Sequence, residues 1–211
     1  MANIFLTSSL QTVAKDLAKH LDPKVKRFLY VATASEVEDG DLWWLRLDRE
    51  RMTDLGFELT DFTFTGKTKE QVNEALSKAD GVVVAGGNTF HLLYMIQKSN
   101  SIELVKEFVD GGAVYIGSSA GSMVAGPDIY FSREEIELTK VQGMTDFKGL
   151  GITDIVAQPH WGSDSFKKSY LDEIMKNSYV LGYKQVLITD NQYIIDLGNN
   201  QIEIINVNND N

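Results

Sequence analysis

Four short apolar runs punctuate the first half of the chain: Ile4-Phe5-Leu6-Thr7, Phe28-Leu29-Tyr30-Val31-Ala32, Val82-Val83-Val84-Ala85 and Ala113-Val114-Tyr115-Ile116. Runs of this length, rich in β-branched and aromatic residues and without polar alternation, suit strands buried on both faces. The stretches between them place apolar residues at helical spacing: Leu10, Val13, Ala14, Leu17 and Ala18; Leu42 and Leu45, reaching towards Arg49; Val72, Ala75, Leu76 and Ala79. Strands that alternate with helices call for an α/β fold with a mostly parallel sheet, because parallel neighbours need a crossover and the crossovers cover both faces. Phe57 to Phe64 supplies a further strand.

From about residue 126 the rhythm changes. Ile129-Tyr130-Phe131 and Ile152 to Gln158 read as extended, Ser165 to Lys176 as a helix, and Gln185 to Thr189 as a strand. Tyr193 to Leu197 and Ile202 to Ile205 form a C-terminal hairpin turned at Gly198-Asn199-Asn200. The expectation is a single α/β domain over residues 1–206 with a polar tail at 207–211, since 211 residues bury a full core without staples and no linker divides them. There is no cysteine, which excludes disulfides, thiolate catalysis and zinc ribbons. A net charge of −10 repels phosphate backbones and anionic bilayers, so neither nucleic acid nor a membrane is an expected partner. The opening Met1-Ala2-Asn3-Ile4 carries no signal-like pattern, and nowhere do 18 apolar residues run together; a cytoplasmic monomer or homodimer is expected.

The run 113–116 leads into Gly117-Ser118-Ser119-Ala120-Gly121, a G-x-S-x-G elbow. A serine where a buried strand turns sharply into a helix is lifted out of the sheet with its hydroxyl exposed. The same turn points the first free N–H groups of the helix outward, towards a developing oxyanion. Glycine-flanked serines also occur in ordinary turns, so partners decide the matter. Such a serine needs a base, and the base an orienting acid. His160, in Gln158-Pro159-His160-Trp161-Gly162, ends the 152–158 strand; ligands of open parallel sheets bind beyond the carboxyl ends of strands. His91, one helical turn from Gly87-Asn88, is the second candidate base, whereas His20 suits a helix end. Asp190 closes the next strand and is the candidate acid, with a turn at Asp190-Asn191 as its plain alternative. Asp154, Asp164, Glu134 and Glu135 compete, the last two reading as a solvated face. Gly86-Gly87-Asn88-Thr89 ends strand 82–85 and opens a helix, offering backbone N–H groups to a substrate carbonyl or simply a capped turn.

Taken in order, Gly86-Gly87-Asn88-Thr89-Phe90, Gly117-Ser118-Ser119-Ala120-Gly121 and Pro159-His160 resemble the peptidase E family, the aspartyl dipeptidases, to which cyanophycinases are related. The likeness runs from the first strand to the final hairpin. It implies a flavodoxin-like, class I glutamine amidotransferase-like sheet in which serine replaces the amidotransferase cysteine. It further implies Ser119 as nucleophile, His160 as general base and then acid, the N–H groups of Gly87 and Ala120 as oxyanion donors, and Asn88 at a small peptide substrate. No metal or organic cofactor is implied. Two departures stand out. The family glutamate of a Pro-Glu-Gly setting is replaced by Thr189-Asp190-Asn191, and the family Gly-Glu-Thr-Arg run by Ser165-Phe166-Lys167-Lys168. Lys167 and Lys168 are then the cations left to meet an acidic P1 side chain, without the bidentate fork of arginine. These departures also leave open a non-catalytic relative that uses the same pocket to bind a small ligand.

Overall fold

The computed structural model describes residues 3–133, 138–141, 143–180, 182–199 and 201–208. Glu134 and Glu135, Asn200 of the hairpin turn and residues 209–211 of the tail lie outside them. Among the described residues the strands in chain order are β1 (Ile4–Thr7), β2 (Arg27–Val31), β3 (Glu58–Phe62), β4 (Gly81–Val84), β5 (Val114–Ser118), β6 (Ile155–Gln158), β7 (Lys184–Leu187), β8 (Gln192–Gly198) and β9 (Gln201–Asn206). Seven of them form one sheet in the order β3-β2-β4-β5-β1-β8-β9. The first five of that order are parallel; β8 runs antiparallel to β1, and β9 to β8, giving the C-terminal hairpin.

Side-chain alternation along the central strands divides the core into two layers, as the pleat requires. Leu29, Val31, Val82 and Val84 face α3 (Lys69–Leu76), α4 (Thr89–Lys98), α5 (Ile102–Asp110) and α6 (Ala120–Val124). Phe28, Tyr30, Val83 and Ala85 face α1 (Leu10–Leu17) and α2 (Trp43–Asp54). Helices therefore cover both faces, as the apolar runs predict. A capping box, with Thr68 and Gln71 satisfying each other's backbone N–H, starts α3. Among the described residues no helix is long and apolar enough to cross a membrane.

Three segments differ from the sequence reading. Tyr130–Ser132 is a 3₁₀ turn rather than an extended segment. The Asp128 carboxylate takes the Tyr130 N–H at 2.6 Å, and Ser132 Oγ donates back to the Ile129 carbonyl at 2.8 Å, local bonds that compete with a ladder. β6 begins at Ile155 because the Ile152 N–H is already bound to the Ala125 carbonyl, and it pairs with β7 in a separate two-stranded parallel sheet. The helix α7, over residues 167–178, contains a π-helical stretch at Tyr170–Ile174 between two α-helical turns. Within that stretch Tyr170 and Ile174 are buried and Leu171 is 58% exposed.

The tightest packing lies between α6 and the strands beneath it. A Cβ on Gly121 would stand 2.0 Å from the Val84 carbonyl oxygen, and one on Gly117 2.6 Å from the Ser122 nitrogen. Both obstacles are backbone, so neither can turn aside. Gly121→Ala is therefore expected to lower the unfolding free energy by about 2 kcal/mol or more. Denaturant titration with an unchanged slope would read it; a loss of a few tenths would mean that α6 does not press on β4.

Candidate active site

Ser119 joins β5 to α6 at φ 50°, ψ −109°, a conformation few residues other than glycine adopt. Surrounding bonds hold it there. Its N–H donates to the Thr7 carbonyl at 3.0 Å, while its own carbonyl accepts from the N–H groups of Ser122 and Met123 at 2.8 and 3.1 Å. Ser122 Oγ adds a 2.7 Å bond to the same Thr7 carbonyl. With Gly117 and Gly121 admitting the close backbone, the turn leaves the Ser119 side chain partly open at the carboxyl edge of the parallel strands.

His160 follows β6 and Asp190 follows β7, so the parallel β6–β7 pair delivers both to one end. The ladder continues past the strands, with Ile188 N–H to the Gln158 carbonyl and Trp161 N–H to the Ile188 carbonyl, each at 3.0 Å. His160 also has positive φ, 62°. Its Nε2 lies 2.9 Å from Ser119 Oγ and its Nδ1 2.7 Å from Asp190 Oδ1. The Phe166 ring stacks on the imidazole at 4.3 Å and 9° between planes, and the Tyr170 hydroxyl donates to the Pro159 carbonyl just before it. The hydrogen bond from His160, opposed by partial burial and aided by Ser8, holds the Asp190 carboxyl below the usual carboxylate range. An ionised Asp190 only accepts, so Nδ1 carries the proton and Nε2 is left to accept from Ser119 Oγ–H.

Gly87, expected beside the serine, has φ 123°, and a Cβ there would fall 2.4 Å from the Ala34 carbonyl oxygen; only glycine fits. Gly86 stands next to it, where an added Cβ would meet Ser119 Cβ at 3.2 Å, so the end of β4 does adjoin the elbow. Ala120 opens α6 directly after the serine. Asn88 is buried, and its side chain accepts the His91 N–H at 2.8 Å, capping α4. Lys167 and Lys168 are both exposed. Lys167, with Trp161, Ser163, Asp164 and Tyr170, lines a cavity of about 320 Å³ whose wall includes neither Lys168 nor Ser119, His160 or Asp190.

The remaining candidates lie elsewhere. His91 is buried and bonded to Glu36 at 3.0 Å, and His20 closes a 3₁₀ turn with its ring edge towards Tyr193. Asp154 and Asp164 are exposed, and the acid bonded to His160 is Asp190. Among the described residues no group of three or more histidine, aspartate or glutamate side chains is arranged to hold a metal ion.

Two residues missed by the sequence reading adjoin the constellation. Ser8, at the end of β1, accepts the His160 N–H at 2.7 Å and donates to Asp190 Oδ1 at 2.5 Å. Asp48 of α2 is 3% exposed; it accepts from Gln11 N–H at 2.8 Å and from Ser118 Oγ at 3.0 Å, and Ser118 Oγ accepts from Leu10 N–H at 3.3 Å. The first turn of α1 is thus capped by residues of α2 and the elbow rather than by Ser9. An acid in the stripe Leu45, Asp48, Met52 is the signal that could have found Asp48. Nothing marks Ser8, which reads as an ordinary helix-start serine.

The sequence model of peptidase family S51 matches residues 4–205. The chain is 26% identical over 212 residues to the uncharacterised peptidase Lin0382 of Listeria innocua, covering 96% of this chain and all of that protein. It is 28% identical over 150 residues to peptidase E of Shewanella denitrificans, covering 71% of this chain and 60% of that one. The crystal structure of a candidate peptidase E from Listeria monocytogenes superposes with a TM-score of 0.87 at 24% identity, covering 99% of this chain and 100% of that one. A peptidase structure from an acI-B1 actinobacterium gives 0.67 at 19% identity, covering 96% and 86%.

Burial lifts the Asp48 carboxyl from 3.8 to about 6, against the pull of its two donors. A carboxyl whose folded value is raised contributes stability that is complete below about pH 4 and is lost as pH rises through 6, about 3 kcal/mol in all. Asp48→Asn cannot ionise. Its stability relative to the parent should therefore climb between pH 4 and 7 by an amount of that order, measured by denaturant titration at each pH. A flat difference would show that Asp48 is ionised throughout.

Proposed function

The chain belongs to peptidase family S51 and is a serine-type peptidase; from that premise we propose that Ser119, His160 and Asp190 form its catalytic triad and cleave short peptides through an acyl-enzyme. The observation that carries the proposal is the unbroken hydrogen-bonded chain from Ser119 Oγ through both ring nitrogens of His160 to Asp190. Ser119 Oγ attacks the scissile carbonyl as its proton passes to His160 Nε2. Asp190, bonded to Nδ1, steadies the imidazolium, and the N–H groups of Gly87 and Ala120 receive the oxyanion. As the intermediate collapses, His160 returns the proton to the leaving amine. Water then repeats the sequence on the acyl-enzyme. The proton transfer from Ser119 to His160 uses groups already within hydrogen-bond reach, and the protons balance without a cofactor.

A preference for an acidic P1 residue is assigned to the cavity lined by the residues that follow His160 in the chain. A chain of net charge −10 does not draw a carboxylate by its global field, so a local cation is needed, and Lys167 lines that cavity. Asp164 in the same wall opposes an anion, which favours a moderate preference. Asn88, the residue after the proposed oxyanion donor Gly87, uses its Oδ1 to cap α4.

Ser119→Ala and His160→Ala are each expected to lower kcat on dipeptides by about four orders of magnitude or more, while Ser122→Ala, whose hydroxyl serves the Thr7 carbonyl, keeps turnover within about tenfold. Near-normal turnover in Ser119→Ala would overturn the triad. Lys167→Met should reduce kcat/KM for Asp-Leu by about ten- to a hundredfold and barely touch Ala-Leu, with Lys168→Met as the control. Equal losses on both substrates would remove Lys167 from specificity.

A further inference from the structure

We infer that Ser8 is a positioning residue of this site: its hydroxyl fixes the backbone of His160 and the carboxylate of Asp190 together, and so sets the imidazole between serine and acid. The inference rests on the triad proposed above. The two residues at the end of β1 serve opposite halves of the site. Thr7 pairs with Ser118 of β5 on one side and Tyr193 of β8 on the other, and its carbonyl takes the Ser119 N–H and Ser122 Oγ. Ser8, the next residue, accepts the His160 N–H and donates its own O–H to Asp190 Oδ1. Among the described residues β6 and β7 pair in a sheet of their own, so the strands that lead to the elbow and to the histidine belong to different sheets. Ser8 bridges them at the reacting atoms. Its Oγ, Asp190 Oδ1 and His160 Nδ1 form a triangle with sides of 2.5, 2.7 and 3.3 Å.

The need for such a brace is local. His160 holds a positive φ, which persists only when its surroundings over-determine it, and its N–H has Ser8 as acceptor. The Asp190 side chain is 46% exposed, so water competes for it, whereas Ser8 is 1% exposed and can donate from a fixed place. Ser8 Oγ cannot give its proton to the His160 N–H it accepts from, which leaves the carboxylate as the receiver.

The test compares Ser8→Ala and Ser8→Thr in the full chain, with folding checked by denaturant midpoint. Ser8→Ala is expected to lower kcat on a dipeptide by about ten- to a hundredfold with KM within about twofold, because the reacting groups lose alignment while the peptide cavity is untouched. Ser8→Thr keeps the hydroxyl and should recover most of the loss. The second readout needs no activity: the downfield proton NMR signal of the His160 Nδ1–H bound to Asp190, assigned by the signal lost in His160→Ala among three histidines. In Ser8→Ala that signal should weaken or shift upfield, towards its behaviour in Asp190→Asn, as the bond loses its alignment. An Nδ1–H signal unmoved in Ser8→Ala overturns the inference whatever the kinetics, as does a kcat loss that Ser8→Thr fails to recover while folding normally. Absence of turnover in the parent would instead strike the triad, and the Nδ1–H signal would still decide the role of Ser8.

Discussion

The structure depends on one close approach of backbone to backbone, where the first turn of α6 presses against the carboxyl ends of β4 and β1. Val84 and Thr7 offer carbonyl oxygens there, and Gly117 and Gly121 have nothing that would hold them off. The left-handed Ser119 follows from that contact, since the chain must leave β5 and enter α6 within a single residue. A helix set farther out would relax the turn and return the hydroxyl to the sheet. The strain is of order 1–3 kcal/mol and is offset by four hydrogen bonds around the turn, two of them to the Thr7 carbonyl.

Polar groups buried beneath the site form a second constraint. Asp48 is removed from water yet joined to the first turn of α1 and to Ser118, the elbow residue before Ser119. A buried carboxylate costs more than an apolar residue of its size, so its presence ties α1, α2 and the elbow into a fixed arrangement rather than adding stability. On the other side, aromatic packing confines His160 between the Phe166 ring and the turn held by Tyr170. The imidazole thus has its rotation limited by stacking and its two nitrogens assigned by hydrogen bonds, as a proposed proton carrier requires.

Much of this was legible in the sequence because its causes are local. The unbroken apolar runs give buried parallel strands, and Leu10, Val13, Ala14 and Leu17 give α1. Ser119 shows itself through its glycines, His160 and Asp190 through their places at strand ends. Less was legible where the cause lies far along the chain. Ile129-Tyr130-Phe131 reads as extended because its apolar residues hide the Asp128 and Ser132 side-chain bonds that close the turn. No periodicity announces the π-helical stretch at Tyr170–Ile174, within which Leu171 stands exposed. Ser8 and Asp48 escaped because their partners are up to 182 positions away. The aspartate in place of the family glutamate is one methylene shorter, and Asp190 still meets Nδ1 at 2.7 Å, with Ser8 bound to the same oxygen.

The most direct test of the central claim, that the elbow serine is an activated nucleophile, is reaction with a fluorophosphonate followed by intact-mass and peptide mapping. The account predicts a single adduct per chain, carried on Ser119, formed rapidly in the parent and at a rate lowered by orders of magnitude when His160 is replaced by alanine. An adduct on another residue, or a protein that hydrolyses dipeptides while Ser119 stays unmodified, would contradict it.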